Sequence, residues 1–371
     1  MHFSALIIAS AFAASAAAQM SLMEILSANN KTLGTLTGLL QNQPELATNL
    51  LNARNITILA PSNDAFSKFL STPAGQSASN DPGMLTALLQ YHVLVGAHPS
   101  TALNMSLYAH SMLTNTTYTN VTNGQVVELS KMGNKVMAMS GLKEMSMSTT
   151  MDVMFTGGVV HVIDKVLTMP MMPSLSAVDS GLTGLAGALT SAGLVSTVDN
   201  ARDVTIFAPS NAAFEKIGSA LPALQADQTM FQTVLAYHLV SGTVGYAGML
   251  GNMSLTTAQG GMVTVEVVNK KVFVNSAQVI ISDVIVANGV VHVIDNVLNP
   301  ANSTATPDPT ATSQPVAFTG VTSTSVIPFT SGITPTTTAP SASTSTAAAG
   351  RVEGAMGLAA LFGVVAVGGA F

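Results

Sequence analysis

A ten-residue phrase occurs twice in this chain and constrains its fold more than any other feature. Thr57 to Phe66 reads T-I-L-A-P-S-N-D-A-F, and Thr205 to Phe214 reads T-I-F-A-P-S-N-A-A-F. Two further phrases recur behind it in the same order. Leu89-Gln90-Tyr91-His92 returns as Leu235-Ala236-Tyr237-His238, and Val159-Val160-His161-Val162-Ile163-Asp164 returns as Val290-Val291-His292-Val293-Ile294-Asp295. Three ordered repeats at one overall spacing indicate a single folding unit duplicated in tandem. Pro61 and Pro209 lie 148 residues apart and Tyr91 and Tyr237 lie 146 apart, but His161 and His292 only 131. The first copy therefore carries ~15 extra residues ahead of its third phrase, which surface loops and hairpin ends hold at least cost. Each copy is of ordinary domain length.

Within a copy the period of the apolar residues changes once. Leu33, Leu36 and Leu40, like Leu182, Leu185 and Leu189, fall at i, i+3 and i+7 and predict an opening helix. A short apolar strand follows at Thr57–Ala60 or Thr205–Ala208. Proline then ends the pairing, and Ser-Asn caps the next helix. Leu85, Leu88, Leu89 and His92, with Phe231, Val234, Leu235 and His238, describe a second apolar helix face that includes the histidine. From there the period is two: Val263, Val265 and Val267 alternate, Asn269-Lys270 makes a turn, and Asn288-Gly289 or Gly157-Gly158 sits at a hairpin tip. Helices first and antiparallel strands afterwards predict an α+β domain.

The ends read as processing signals. Residues 1–18 form a short apolar stretch closing on Ala16-Ala17-Ala18, the pattern of a secretory signal peptide, although its start offers only His2 in place of Lys or Arg. Residues 300–349 are rich in Ser, Thr, Pro and Ala, a composition expected to form an O-glycosylated stalk instead of a core. At about 3.1 Å per residue it would reach on the order of 150 Å. Residues 350–371 follow the order of a glycolipid (GPI) anchor signal, small residues, a brief spacer with Arg351 and Glu353, then an apolar tail. A single-pass membrane anchor is the other reading. Seven sequons are candidates for N-glycosylation: Asn30, Asn55, Asn104, Asn115, Asn120, Asn252 and Asn302. Asn55 lies two residues before a strand expected to be buried.

The chain has no cysteine, which excludes disulfides, thiolate chemistry and Cys-based zinc sites. Its net charge of −6 comes from few charged residues without a basic cluster, so nucleic acid is not an expected partner.

The three ordered motifs, present in both copies, resemble the conserved blocks and central dipeptide of fasciclin domains. The resemblance covers residues 19–168 and 171–299, and the whole organisation is similar to fungal fasciclin-like cell-surface proteins. It implies two tandem domains, each a wedge of about seven mainly antiparallel strands flanked by helices, and an extracellular adhesion module instead of an enzyme. In animal relatives the dipeptide region has been linked to receptor binding, so the resemblance nominates Tyr91, His92, Tyr237 and His238 as binding residues. The competing reading of the residues themselves is that a histidine on a leucine-lined face serves buried hydrogen bonds.

Other candidates are weighed the same way. His161 and His292 lie in alternating strands, with Asp164 and Asp295 expected on the opposite face, so a metal centre lacks its third ligand and none is expected. Met132, Met137, Met139, Met145, Met147, Met151 and Met154 crowd copy one. Thioethers can take Cu(I), and they also pack irregular gaps. No nucleophile elbow, phosphate loop, zincin or dinucleotide motif is present. Paired acids for glycoside chemistry need only meet in space, which leaves a carbohydrate-active enzyme as a further alternative. The expectation is a secreted, glycosylated adhesion protein without cofactor, lipid-anchored at the outer face of the plasma membrane or in the cell wall. Its expected partners are cell-surface or matrix proteins, cell-wall polysaccharide, or itself in trans.

Overall fold

A computed structural model describes residues 19–333. The expected signal peptide, the anchor signal and the distal part of the expected stalk lie outside the described residues.

Copy one opens with α1 (Leu22–Ala28), α2 (Asn30–Gln41) and α3 (Pro44–Asn52), followed by β1 (Ile56–Pro61). Then come α4 (Asn63–Leu70), α5 (Pro73–Asn80), α6 (Pro82–Tyr91) and β2 (Val93–Val95). The strands β3 (Leu107–His110), β4 (Val126–Met132), β5 (Lys135–Met139), β6 (Met145–Phe155) and β7 (Gly158–Ile163) complete it. Copy two repeats the order: α7 (Pro173–Asp179), α8 (Thr183–Ser191), α9 (Val195–Asn200), β8 (Val204–Pro209), α10 (Asn211–Lys216), α11 (Leu221–Ala226) and α12 (Gln228–Ala236). It ends with β9 (Leu239–Val240), β10 (Met253–Thr256), β11 (Met262–Val268), β12 (Lys271–Val274), β13 (Ala277–Val286) and β14 (Gly289–Ile294).

Each copy forms one seven-stranded sheet. The first is ordered β2-β1-β7-β6-β5-β4-β3, and the second, from its other edge, β9-β8-β14-β13-β12-β11-β10. The α+β architecture expected from the change of period is therefore present twice. All strand pairs are antiparallel except β1 with β7 and β8 with β14. Those parallel pairs set the first repeated phrase against the last, Leu59 opposite His161 and Phe207 opposite His292. Both partners are nearly all buried, as parallel strands covered on two faces must be. One core lies between helices and sheet, around Leu33, Leu36, Phe66 and Leu89 in copy one. A second lies across the sheet, around Leu59, Tyr91, Val127 and Val136.

The A-P-S-N segment does more than start a helix. Ser62 and Ser210 cap α4 and α10 by accepting from the amides of Ala65 and Ala213. Asn63 and Asn211 reach across to the opening helices: Asn63 accepts from Thr35 N and donates to Lys31 O, and Asn211 accepts from Gly184 N and donates to Gly181 O. One asparagine thus ties strand, helix and preceding helix together in each copy.

The expected stalk requires a correction. It does not begin at residue 300, because the chain folds back over copy two through Ile333. Ala317, Ile327 and Phe329 are buried. The Phe329 ring stands edge-on to Phe214 at 5.7 Å and lies 5.6 Å from Phe231. Asn296, Asn299 and Asn302 donate to the carbonyls of Pro315 and Ala317, holding the returning strap. The Ser/Thr background is polar, but its few aromatic and aliphatic residues fall on a helical groove that would otherwise expose phenylalanine.

Candidate functional site

The Tyr-His pairs are placed by the ends of α6 and α12. His92 is the residue that closes α6, and Tyr237 and His238 follow α12 directly. The side chains turn inward: Tyr91, His92, Tyr237 and His238 are all at most 4% exposed. The Tyr91 hydroxyl donates to Val126 O at 2.9 Å and that of Tyr237 to Met262 O at 2.6 Å, each joining helix to sheet. His92 Nδ1 lies 2.8 Å from Leu88 O, and Leu167 N donates to its Nε2 at 2.9 Å. His238 repeats this with Val234 O at 2.7 Å and Leu298 N at 2.9 Å. An acceptor at one nitrogen and a donor at the other define a neutral ring protonated on Nδ1. Burial pushes both imidazoles down from 6.5 to about 4. In the described structure all four side chains are buried and their polar atoms bond within the fold, the Tyr237 hydroxyl also accepting from Asn275 Nδ2 at 3.1 Å.

The strand histidines form a second internal motif. Asp152 N and Asp283 N donate to Nδ1 of His161 and His292, both at 3.3 Å, while Nε2 lies 3.0 Å from His98 O and 2.7 Å from Gly245 O. Burial lowers the pKa of both rings. Asp152 and Asp283 take a left-handed backbone, φ +59° in each, at the irregular stretches of β6 and β13. Their carboxylates accept from Ser100 N and Ala247 N, fixing the loop that passes beneath. Sequence reasoning missed this pair. The signal was present, because each aspartate precedes its histidine by nine residues and is followed by valine.

Asp164 and Asp295 accept from Met147 N and Gln278 N, as strand-end residues. Among the described residues no three His, Asp or Glu side chains converge as a metal site would require. The methionines are arranged more specifically: Met137 pairs with Met147 and Met139 with Met145 across β5 and β6, so the four thioethers share one face of the sheet. Methionine also supplies much of the exposed apolar surface, including Met105, Met249 and Met262.

The two copies meet through a dense junction. Tyr108 and Tyr246 stack with ring centroids 4.0 Å apart, beside Val126, Ile285 and Val290. Thr122 donates its amide and hydroxyl to Asp203, Gln125 donates to Val286 O, and Lys143 to Ser282 O. Asn120 donates its side-chain amide to Asn200 O at 3.1 Å while its backbone N–H donates to Ala287 O at 2.8 Å.

Comparison with known proteins matches this arrangement to one family. The model of the fasciclin domain matches residues 31–170 and 180–300. A fasciclin-like arabinogalactan protein of Arthroderma benhamiae is 34% identical over 305 residues, which are 81% of this chain and 72% of that protein. Another, from Phaeosphaeria nodorum, is 31% identical over 282 residues, 75% of this chain and 88% of its own. Among solved structures, a domain pair from the insect cell adhesion molecule fasciclin I aligns over 73% of this chain and 98% of its own, at a TM-score of 0.36 and 18% identity.

Proposed function

The chain belongs to the fasciclin family, and from that premise we propose that it is a non-enzymatic cell-surface adhesion glycoprotein, exported and held by a lipid anchor. The observation that carries this reading is where the recurrent polar residues went. Both Tyr-His pairs and both His-Asp pairs are used up in holding the fold, leaving contact to the exterior. That exterior is poor in charge and bears exposed methionines, whose flexible side chains adapt to differing partners. Partners are other surface or matrix proteins, wall polysaccharide, or the same chain on a neighbouring cell. Individually weak contacts add through the density of anchored copies.

The test is display of the anchored chain on non-adherent cells. Aggregation or attachment to wall material should rise, and exchange of Met105, Met249 and Met262 for serine should reduce it without moving the melting temperature. Unchanged attachment by the displayed chain would count against adhesion.

The methionine ladder favours one second reading, a Cu(I) site on β5 and β6. It is checked by bicinchoninate competition under reducing conditions. Copper held by the whole chain should be lost on exchange of Met139, Met145 and Met147 for leucine.

A further inference from the structure

The duplicated fold allows one copy to be read against the other, and the junction between them occupies one face of each. Copy two receives copy one at the end of its β13–β14 hairpin and the start of β8, through Asp203, Ile285 and Ala287. Copy one presents the opposite end of its sheet, where β3 and β4 carry Tyr108 and Val126. Both copies have both faces. The described residues therefore leave a receiving face on copy one and a presenting face on copy two uncovered.

Strand register identifies the residues of these free faces. On the receiving side Asn52-Ala53-Arg54-Asn55 returns as Asn200-Ala201-Arg202-Asp203, and Asn55 and Asp203 share a left-handed backbone at φ +56° and +50°. Met154 stands opposite Val159 as Ile285 stands opposite Val290. On the presenting side the two buried tyrosine hydroxyls donate to Val126 O and Met262 O, which makes those residues equivalent. The docked Ile285 and Val126 are 0% and 1% exposed, and the undocked Met154 and Met262 are 47% and 55% exposed. Around Met154, Val95 and Met20 are exposed as well, one paired with Ile56 and the other accepting from Thr156 N. Apolar side chains gathered on an exposed face mark a site of association.

We propose that the free end of copy two docks on the free face of copy one in a second chain, repeating head to tail the junction found within one chain. The occupant follows from the fold itself, because the equivalent face is already covered by a domain of this kind. One part of the internal junction is missing from the contact between chains. Copy one connects β3 to β4 through residues 111–125, which make the Thr119, Asn120 and Thr122 bonds, whereas copy two connects β10 to β11 through residues 257–261. The contact is accordingly weak and depends on the density of chains. Its two faces differ, so it extends into rows instead of closing as a symmetric dimer. Asn55 lies on the receiving face at the position of Asp203. Its carboxamide oxygen accepts from Ala97 N, which leaves the nitrogen for a glycan, and a sugar there closes the face. This gives the same-chain partner of the adhesion reading a surface and a stop, and rests on that reading only for the export that adds the sugar.

Sedimentation of the exported whole chain tests the contact apart from attachment to cells or wall. The parent, with sugar at Asn55 verified by glycopeptide mapping, should be monomeric. Asn55→Asp removes the sequon and installs the residue that copy two holds in the same backbone conformation. Its weight-average mass should rise about twofold at a concentration on the order of 100 µM, the range of weak contacts. Adding Met154→Lys or Met262→Lys to Asn55→Asp alters an exposed side chain on one face, and each should restore the monomer. Mixed together, these two double variants should form a dimer and go no further, because each keeps the face that the other has lost. A symmetric contact through either face alone gives no such rescue. The proposal would be overturned by an Asn55→Asp chain that stays monomeric to ~1 mM, by a double variant that still assembles, or by a mixture that does not dimerise. A parent bare at Asn55, or one that assembles as readily as Asn55→Asp, would overturn it equally.

Discussion

At the scale of single residues, the histidines make the fold sensitive to acid. Burial disfavours the imidazolium of His92 and His238, lowering their pKa from 6.5 in the unfolded chain to about 4 in the folded one, so both rings are neutral near pH 7. Depressed folded values mean that the unfolded chain takes up protons first as pH falls. The contribution is complete above the unfolded value and lost as pH drops from 6.5 towards 4, to about 3 kcal/mol for each ring at pH 4. His161 and His292 are shifted in the same direction. Melting temperature measured from pH 7.5 to 4 should therefore fall steeply through that window, and a flat profile would contradict the neutral, buried rings. The sequons separate by the same kind of reading. Asn120 and Asn302 commit their side-chain amides to Asn200 O and Ala317 O, the nitrogen a glycan would need. Asn30, Asn55, Asn104, Asn115 and Asn252 are exposed. Glycopeptide mapping of exported protein should find sugar among those five and none at Asn120 or Asn302. The sequence could not make this division, since sequons are local and the partners of Asn120 lie 80 or more residues away.

At the scale of elements, corresponding glycines should respond oppositely to one change. Gly38 of α2 and Gly187 of α8 each follow a core leucine, Leu36 and Leu185, by two positions. A Cβ at Gly38 would meet nothing within 4 Å, whereas one at Gly187 would lie 2.1 Å from the carbonyl oxygen of Phe329. Gly38→Ala should stabilise copy one by about 0.5–1 kcal/mol through helix propensity. Gly187→Ala should lift the strap from copy two and destabilise by about 1–3 kcal/mol, as overpacking does. Denaturant titration of the two variants gives the signs directly. The strap also shows where sequence reading stopped. Helices, hairpins and the duplicated sheet were legible because their apolar residues keep a period of 3.6 or 2. Val316, Phe318, Ile327 and Phe329 keep neither, and their meaning depends on a groove built by helices ~100 residues earlier, a distance over which pattern carries no information. The inward turn of His92 was legible from Leu85, Leu88 and Leu89. The left-handed aspartates were not, because a bulge interrupts the alternation that announces a strand.

At the scale of the whole molecule, the junction makes one body of two copies. Its centre is the stacked pair Tyr108 and Tyr246, with the Thr122–Asp203 bonds at its edge. Tyr108→Ala removes the stack and its buried area, about 2–3 kcal/mol of docking free energy. Calorimetry should then show two transitions where the parent shows one, and small-angle scattering should report a larger radius; a single unchanged transition would mean that the copies melt independently of this contact. The parallel pairing of β1 with β7 has a kinetic consequence. Ile56 meets Gly158 and Val204 meets Gly289, so each sheet's parallel pair must wait for its latest-made strand. Such distant closure is slow, because loop entropy is spent before the pairing returns it. During export the nascent chain would thus hold a mostly apolar strand, β1 or β8, paired along one edge only, with β2 or β9, until one copy is finished. Synthesis order then lets the first sheet close before the second has begun, which keeps two nearly interchangeable T-I-x-A-P strands from trading partners.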